Sequence, residues 1–178
     1  STAMIERSRV EAAPSLERIV IGVDPAVTSG KDSDETGIVT AGRGADGHYY
    51  VLADASCRER PAGWAARVRD EYRRFRADRV VAEVNNGGDL VETVLRSQEL
   101  DLPFRQVRAM RGKIARAEPV AALYEQGKVH HVGCFRELEE QMTSFTPQTG
   151  TGSPDRLDAL VWAMTVLMEP ASPRFIPA

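Results

Sequence analysis

The chain holds 178 residues, 42% of them hydrophobic, enough to bury one full core without disulfide or metal staples. No apolar run approaches the roughly 20 residues that span a bilayer, and the N-terminus lacks a charged-then-apolar signal, so a membrane protein is excluded and a cytosolic one predicted. The net charge of −3 leaves a nucleic-acid partner open, because distribution matters more than the sum, while Cys57 and Cys134, without CxxC spacing or a pairing framework, argue against zinc and redox chemistry and read as packing residues.

The two ends read as lying outside the fold. Ser1-Thr2-Ala3 ahead of Met4 looks like a cloning remnant and residues 1–16 like a linker, and Pro170, Pro173 and Pro177 bar a regular element from the tail 170–178. Between them, 17–169 carries no repeat, low-complexity stretch or midpoint linker and is expected to fold as one unit. Arg18 to Val23 is a continuous β-branched run, Gly37 to Ala41 follows a polar loop, and His48 to Ala53 follows the turn Gly44-Ala45-Asp46-Gly47. These three predict an antiparallel meander. A helix opens at Pro61, with Trp64, Val68, Tyr72 and Phe75 as an apolar stripe that covers one sheet face. Arg79 to Val84 reads as a short buried strand, Asp89 to Gln98 as a helix with Leu90, Val91, Val94 and Leu95 inward, and Phe104 to Val107 as another strand. Helices are expected from Lys113 to Gln126, stopped by Gly127, and from Phe135 to Phe145, with Leu138 and Met142 on one stripe. The last helix starts with Ser153 as N-cap and Pro154 as its first residue, and turns Leu157, Leu160, Val161, Met164 and Met168 inward.

The order of the first seven elements, βββαβαβ, needs crossover helices between parallel neighbours. It predicts an α/β fold: a ribonuclease H-like mixed five-stranded sheet, its first three strands antiparallel, flanked by helices. In such a sheet the first and fourth strands are neighbours. Asp24 ends the first and Glu83 the fourth, so the two emerge side by side in the crevice where ligands settle. Asp155 and Asp158, three apart on the last helix, share a face that closes on the same crevice. Buried carboxylates in that number need cations to compensate them, and hard oxygen donors suit Mg²⁺ or Mn²⁺, whereas zinc draws on His and Cys. Two such ions about 4 Å apart activate a water and stabilise the leaving oxygen of a phosphodiester, with Asp24 bridging both. Taken singly, Asp24 before Pro25 is also an ordinary turn former, and Asp155 is a first-turn carboxylate favoured by the helix dipole. Glu83 inside a strand and Asp158 have no such everyday reading.

The basic residues fall in two stretches. From Arg58 to Arg79, eight arginines are interleaved with Glu59, Asp70, Glu71 and Asp78, which is compatible with a solvated helix face as well as a polyanion track. The segment from Arg105 to Arg116 is free of acids, and Arg105, Arg108, Arg111, Lys113 and Arg116 are the candidate DNA contacts.

Five segments in order carry a family resemblance: Ile21-Gly22-Val23-Asp24-Pro25-Ala26, Ser33-Asp34-Glu35-Thr36-Gly37-Ile38-Val39, Ala82-Glu83-Val84-Asn85-Asn86-Gly87-Gly88, Lys113 to His131, and Asp155-Arg156-Leu157-Asp158-Ala159-Leu160-Val161-Trp162-Ala163. Together they resemble the nuclease domain of phage large terminases. The resemblance implies a ribonuclease H-like endonuclease that cuts double-stranded concatemeric DNA during genome packaging in the host cytoplasm, with two metal ions on Asp24, Glu83 and Asp158. It gives Asp155 and Asp34 secondary places, as extra acids seen in some relatives. It also implies partners: an ATPase domain in the full-length protein, a portal protein and a small terminase subunit. No GxxxxGK[ST] loop occurs, so this stretch is expected to be the C-terminal part alone, without ATP hydrolysis or translocation. The rival readings are a junction resolvase or RNA–DNA hybrid nuclease with the same acids, and a non-cutting module that docks the motor onto DNA or portal. An actin-like kinase would need a longer, two-lobed chain with phosphate-binding glycine loops.

Overall fold

The structure, a computed structural model, describes residues 1–26, 35–84, 88–98, 101–108, 112–145 and 155–170, with the side chains of 88, 89 and 113 excepted. Its elements in chain order are α1 (Thr2–Ser8), β1 (Leu16–Asp24), β2 (Gly37–Gly44), β3 (Tyr49–Asp54), α2 (Pro61–Phe75), β4 (Arg79–Glu83), α3 (Gly88–Arg96), β5 (Phe104–Val107), α4 (Lys113–Glu125), β6 (Val129–His131), α5 (Arg136–Ser144) and α6 (Asp155–Met168). The sheet runs β5-β4-β1-β2-β3-β6, with β1, β2 and β3 antiparallel, and β4, β5 and β6 parallel to their neighbours β1, β4 and β3. The ribonuclease H-like mixed sheet is therefore present, with six strands where five are expected. The added strand, β6, is three residues long with a single aliphatic side chain, too short to leave a period-two signal, and it exists by pairing Val129 to His131 along the edge of β3.

Residues 1–16 also differ from the linker expectation. In α1 Ile5 is buried, Val10 bridges to Val132, and Arg9 pairs with Glu139 of α5 at 2.7 Å. A seven-residue helix is marginal by its own propensity, so this contact surface sustains it.

The period of two along each strand divides the core. Ile19, Ile21 and Val23 of β1, with Val80 and Ala82 of β4, face α2 and α3, whereas Val20 and Val81 face the layer of α6, α4, α5 and α1. Asp24 and Glu83 therefore stand on the α6 side. Helix α2 buries Trp64 and Val68 of its expected stripe together with Ala65, while Tyr72 and Phe75 are half-buried; among the described side chains of α3 only Leu95 is fully buried, and Leu90 stays 63% exposed. Helix α6 is apolar almost all round and runs across β1 and β2 in the middle of its layer. Among the described residues no helix is long and apolar enough to cross a membrane.

Candidate metal centre

Three positions along the backbone bring the acids together. Strands β1 and β4 pair in parallel as Gly22 with Val81 and Val23 with Ala82, and one further step of that register sets Asp24 beside Glu83 at the C-terminal ends of both strands. Asp158 arrives from the first turn of α6. Each of the three offers a carboxylate oxygen, and these oxygens lie within 4.8 Å of one another. Asp158 is 7% exposed, and the other two are half-buried.

Two glycines make this approach possible. A Cβ on Gly22 would stand 2.1 Å from the Ala159 carbonyl oxygen, and one on Gly37 2.0 Å from that of Asp155, so α6 touches the bare backbone of β1 and β2 where Asp158 projects. The start of α6 is held from outside the helix as well. The Gln141 side chain of α5 accepts from the Arg156 and Leu157 amides at 3.0 and 3.2 Å, satisfying two donors that a helix start leaves open. The Arg156 guanidinium, 11% exposed, donates a hydrogen bond to Asp54 at the end of β3 at 2.5 Å and forms ion pairs with Glu137 at 2.6 Å and with Glu35. Burial pulls its pKa down, but the hydrogen bond to Asp54 and the charges of Asp54, Glu35 and Glu137 outweigh it and raise the pKa.

Glu83 is gripped on both oxygens. Trp162, one turn beyond Asp158 on α6, donates its indole N–H to Oε2 at 3.0 Å, and the Arg116 guanidinium of α4 faces Oε1 at 3.8 Å. That guanidinium also lies over the Trp162 ring, 4.5 Å from its centroid, a cation–π contact of about 1 kcal/mol. At 3.8 Å the ion pair is too long for a hydrogen bond. Arg116 is 10% exposed, and its Nε and Nη1 have no hydrogen-bond partner among the described residues. Unsatisfied buried donors cost about 1–3 kcal/mol each, which marks this side chain as placed for something other than stability.

The other candidates distribute unevenly. Asp155 begins α6 but is not among the three acids whose oxygens converge. Arg105 is bound to Glu169 at 2.7 Å, and Arg108 is exposed. Asp34, Arg111, Ser153 and Pro154 lie outside the described residues, as does the Lys113 side chain. The arginines of α2 and its approach are largely engaged at the surface: Arg58 with Glu35, Arg67 with Glu59, Arg69 with Asp70 and Arg74 with Glu71, the pattern of a solvated face. Sequence reasoning takes Arg156 and Trp162 only as members of the last motif, without a role, and passes over Gln141. Trp162 carried a signal, its spacing of four from Asp158, whereas the other two act across long chain separations.

Three carboxylates with no histidine or cysteine in their group form a hard-oxygen donor set, which fits Mg²⁺ or Mn²⁺ better than a soft metal. Such a set, at the C-terminal strand ends of an α/β sheet, provides for cation-assisted chemistry on an anionic substrate.

A family model described as the terminase RNase H-like domain matches residues 21–167. No curated protein sequence matches the chain. In fold the chain is similar to the large terminase nuclease of thermophilic phage G20c, with a TM-score of 0.62 at 17% identity over 83% of this chain and 81% of that one. The magnesium-bound form of that nuclease gives 0.64 at 18% identity over 87% and 84%, and zinc- and cobalt-bound forms match as well. The large terminase of bacteriophage HK97 gives 0.71 at 14% identity, over 93% of this chain and 43% of that one. At these identities the likeness to solved structures concerns the fold.

Proposed function

The chain belongs to the terminase RNase H-like domain family, and from that premise we propose that it is the endonuclease of a viral DNA-packaging large subunit, hydrolysing phosphodiesters of double-stranded concatemeric DNA. The observation that carries this reading is the convergence of the Asp24, Glu83 and Asp158 oxygens within 4.8 Å on one crevice. These three acids are the ones we assign to hold two Mg²⁺ or Mn²⁺ ions, with Asp155 as a secondary ligand. Bound there, the cations supply nucleophile activation and neutralise charge that develops on the leaving oxygen. The chain's own groups set the geometry: the Gly22 and Gly37 contacts fix the depth of Asp158, and Trp162 orients the Glu83 carboxylate.

The exposed Arg108 and the neighbouring Arg105, Arg111, Lys113 and Arg116 are assigned to the DNA backbone, where cationic side chains position a duplex without reading its sequence. We assign the nuclease unit to 17–169, with α1 packed against it, and its place of action to the host cytoplasm. In the full-length protein the partners are an ATPase domain, a portal protein and a small terminase subunit. The test is plasmid nicking and linearisation in Mg²⁺ or Mn²⁺, with a chelator arm, an Asp24→Ala variant, and RNA–DNA hybrid and four-way junction as competing substrates. Cutting is expected on duplex DNA and absent in Asp24→Ala. Equal cutting by that variant, or preference for hybrid or junction, rejects the assignment.

A further inference from the structure

We propose that Arg116 is an exchangeable counter-ion, resting against Glu83 in the free protein and moving to a DNA phosphate when a cation takes Glu83, so that cation and DNA binding reinforce each other. This inference rests on the nuclease reading above and deepens it. Four observations carry it. Arg116 is nine-tenths buried at the one acid of the cluster that Trp162 also holds, and its Nε and Nη1 make no hydrogen bond among the described residues. Its distance of 3.8 Å to Glu83 compensates charge without a bond that would have to be broken. Its cation–π contact with Trp162, 4.5 Å from the ring centroid, is undirected support that a small movement of the guanidinium does not forfeit. Finally, Arg116 lies in the first turn of α4, eight residues beyond the exposed Arg108, so the helix start brings its N–H groups to the acids from the basic stretch of the chain.

The geometry has a defined chemistry. A guanidinium presents its N–H donors along edges that match two oxygens of a phosphate, Nε with Nη2 and Nη1 with Nη2, so each unbonded nitrogen of Arg116 belongs to one such edge. A divalent cation at Glu83 repels the Arg116 charge, and an arriving phosphate attracts it. Each ligand thereby removes an obstacle to the other, which is a coupling free energy between two sites and must be reciprocal. Arg116 is a positioning residue in this scheme, acting through Glu83 and the substrate backbone.

Binding measurements separate this from a purely structural role. The affinity of Ca²⁺, a hard cation that takes the same oxygen ligands, is measured by calorimetry without DNA, and that of a 20-base-pair duplex by fluorescence anisotropy with and without Ca²⁺, duplex integrity being checked on a gel. For the wild-type chain the duplex is expected to bind roughly tenfold tighter with Ca²⁺ present, a typical coupling. Arg116→Gln should bind Ca²⁺ alone more tightly than wild type, bind the duplex more weakly, and lose most of the coupling. Arg108→Gln should weaken the duplex alone and retain the coupling. Unchanged coupling in a folded Arg116→Gln chain, or weaker Ca²⁺ binding by it, overturns the exchange. Failure of wild type to bind Ca²⁺, or binding that survives Asp24→Ala, instead overturns the metal-site reading beneath it. If Arg116→Gln does not fold, the emission of Trp162 in a Trp64→Phe chain decides: it should change on adding Ca²⁺ and change again on adding duplex, and an emission indifferent to both ligands refutes the proposal.

Discussion

Replacing Gly22 by alanine tests whether the contact between α6 and the sheet sets the metal centre. The new Cβ would fall 2.1 Å from the Ala159 carbonyl oxygen, 3.0 Å from the Ala163 nitrogen and 3.1 Å from the Ala159 carbonyl carbon, all backbone atoms that no side-chain rotation removes. Ordinary contact begins near 3.4 Å, so helix and strand must separate by about 1 Å, and a displacement of that size in a positioned group costs on the order of 100-fold in rate. Overpacking of this kind also costs about 1–3 kcal/mol of stability. Gly112→Ala is the control, because a Cβ there meets nothing within 4 Å and its φ of −57° suits any residue. The assay pairs urea denaturation with Ca²⁺ calorimetry. Gly22→Ala is expected to lose stability and to bind Ca²⁺ at least tenfold more weakly even where it remains folded, roughly 1.4 kcal/mol at the site. Wild-type stability together with wild-type Ca²⁺ affinity would show that α6 does not depend on this contact and refute the reasoning.

Two further expectations concern the scaffold. Arg156→Ala leaves Asp54, Glu35 and Glu137 without their shared cation at the start of α6 and should cost about 3 kcal/mol, since breaking a largely buried ion network strands its charges. A loss below about 1 kcal/mol in chemical denaturation would mean the acids find other compensation. Away from the centre, Glu139 of α5 accepts from Arg9 at 2.7 Å, from His131 Nδ1 at 2.8 Å and from the Phe135 amide at 3.2 Å, while Tyr124 donates to His131 Nε2 at 2.7 Å. Burial opposes ionisation of Glu139, but these donors outweigh it and hold its pKa at about 2 against an ordinary 4.5. Burial holds His131 below its ordinary 6.5, so it folds neutral. Both depressed values act in one direction. The His131 contribution is lost as pH falls below 6.5, and that of Glu139, about 3 kcal/mol by linkage, between about 4.5 and 2. Glu139→Gln should therefore lower stability at neutral pH and flatten its dependence below pH 4.5; an unchanged acid limb would show that another group governs acid unfolding.

How far the amino-acid order reaches is clearest at the acids. Glu83 stands out because a carboxylate closing a β-branched run is chemically out of place, a local property that needs no structure to be seen, whereas Asp24 before Pro25 is locally an ordinary turn former and gains weight only from the pairing of β1 with β4. Helices α2, α4 and α5 are legible for the same kind of reason, since an apolar stripe, a proline at a helix start and a glycine after its end act over a few residues. Leu90 shows the limit: its helical phase predicts burial, yet α3 turns it outward, because the seat of a short helix depends on what its neighbours leave to be covered.

The sequence by itself determined the order of the elements from β1 to β5 and the mixed sheet, and it marked three acids whose oxygens the fold brings within 4.8 Å of one another, because propensity, period and chemical type are carried by adjacent residues. Tertiary structure alone decided that β6 completes the edge, that α1 is bound to the fold, that Gly22 and Gly37 admit α6 to the sheet, and that Arg116 and Trp162 meet at Glu83. Each of these is a meeting of segments far apart in the chain. Its energy resides in contacts that form only when the whole chain is packed, and no local pattern encodes it.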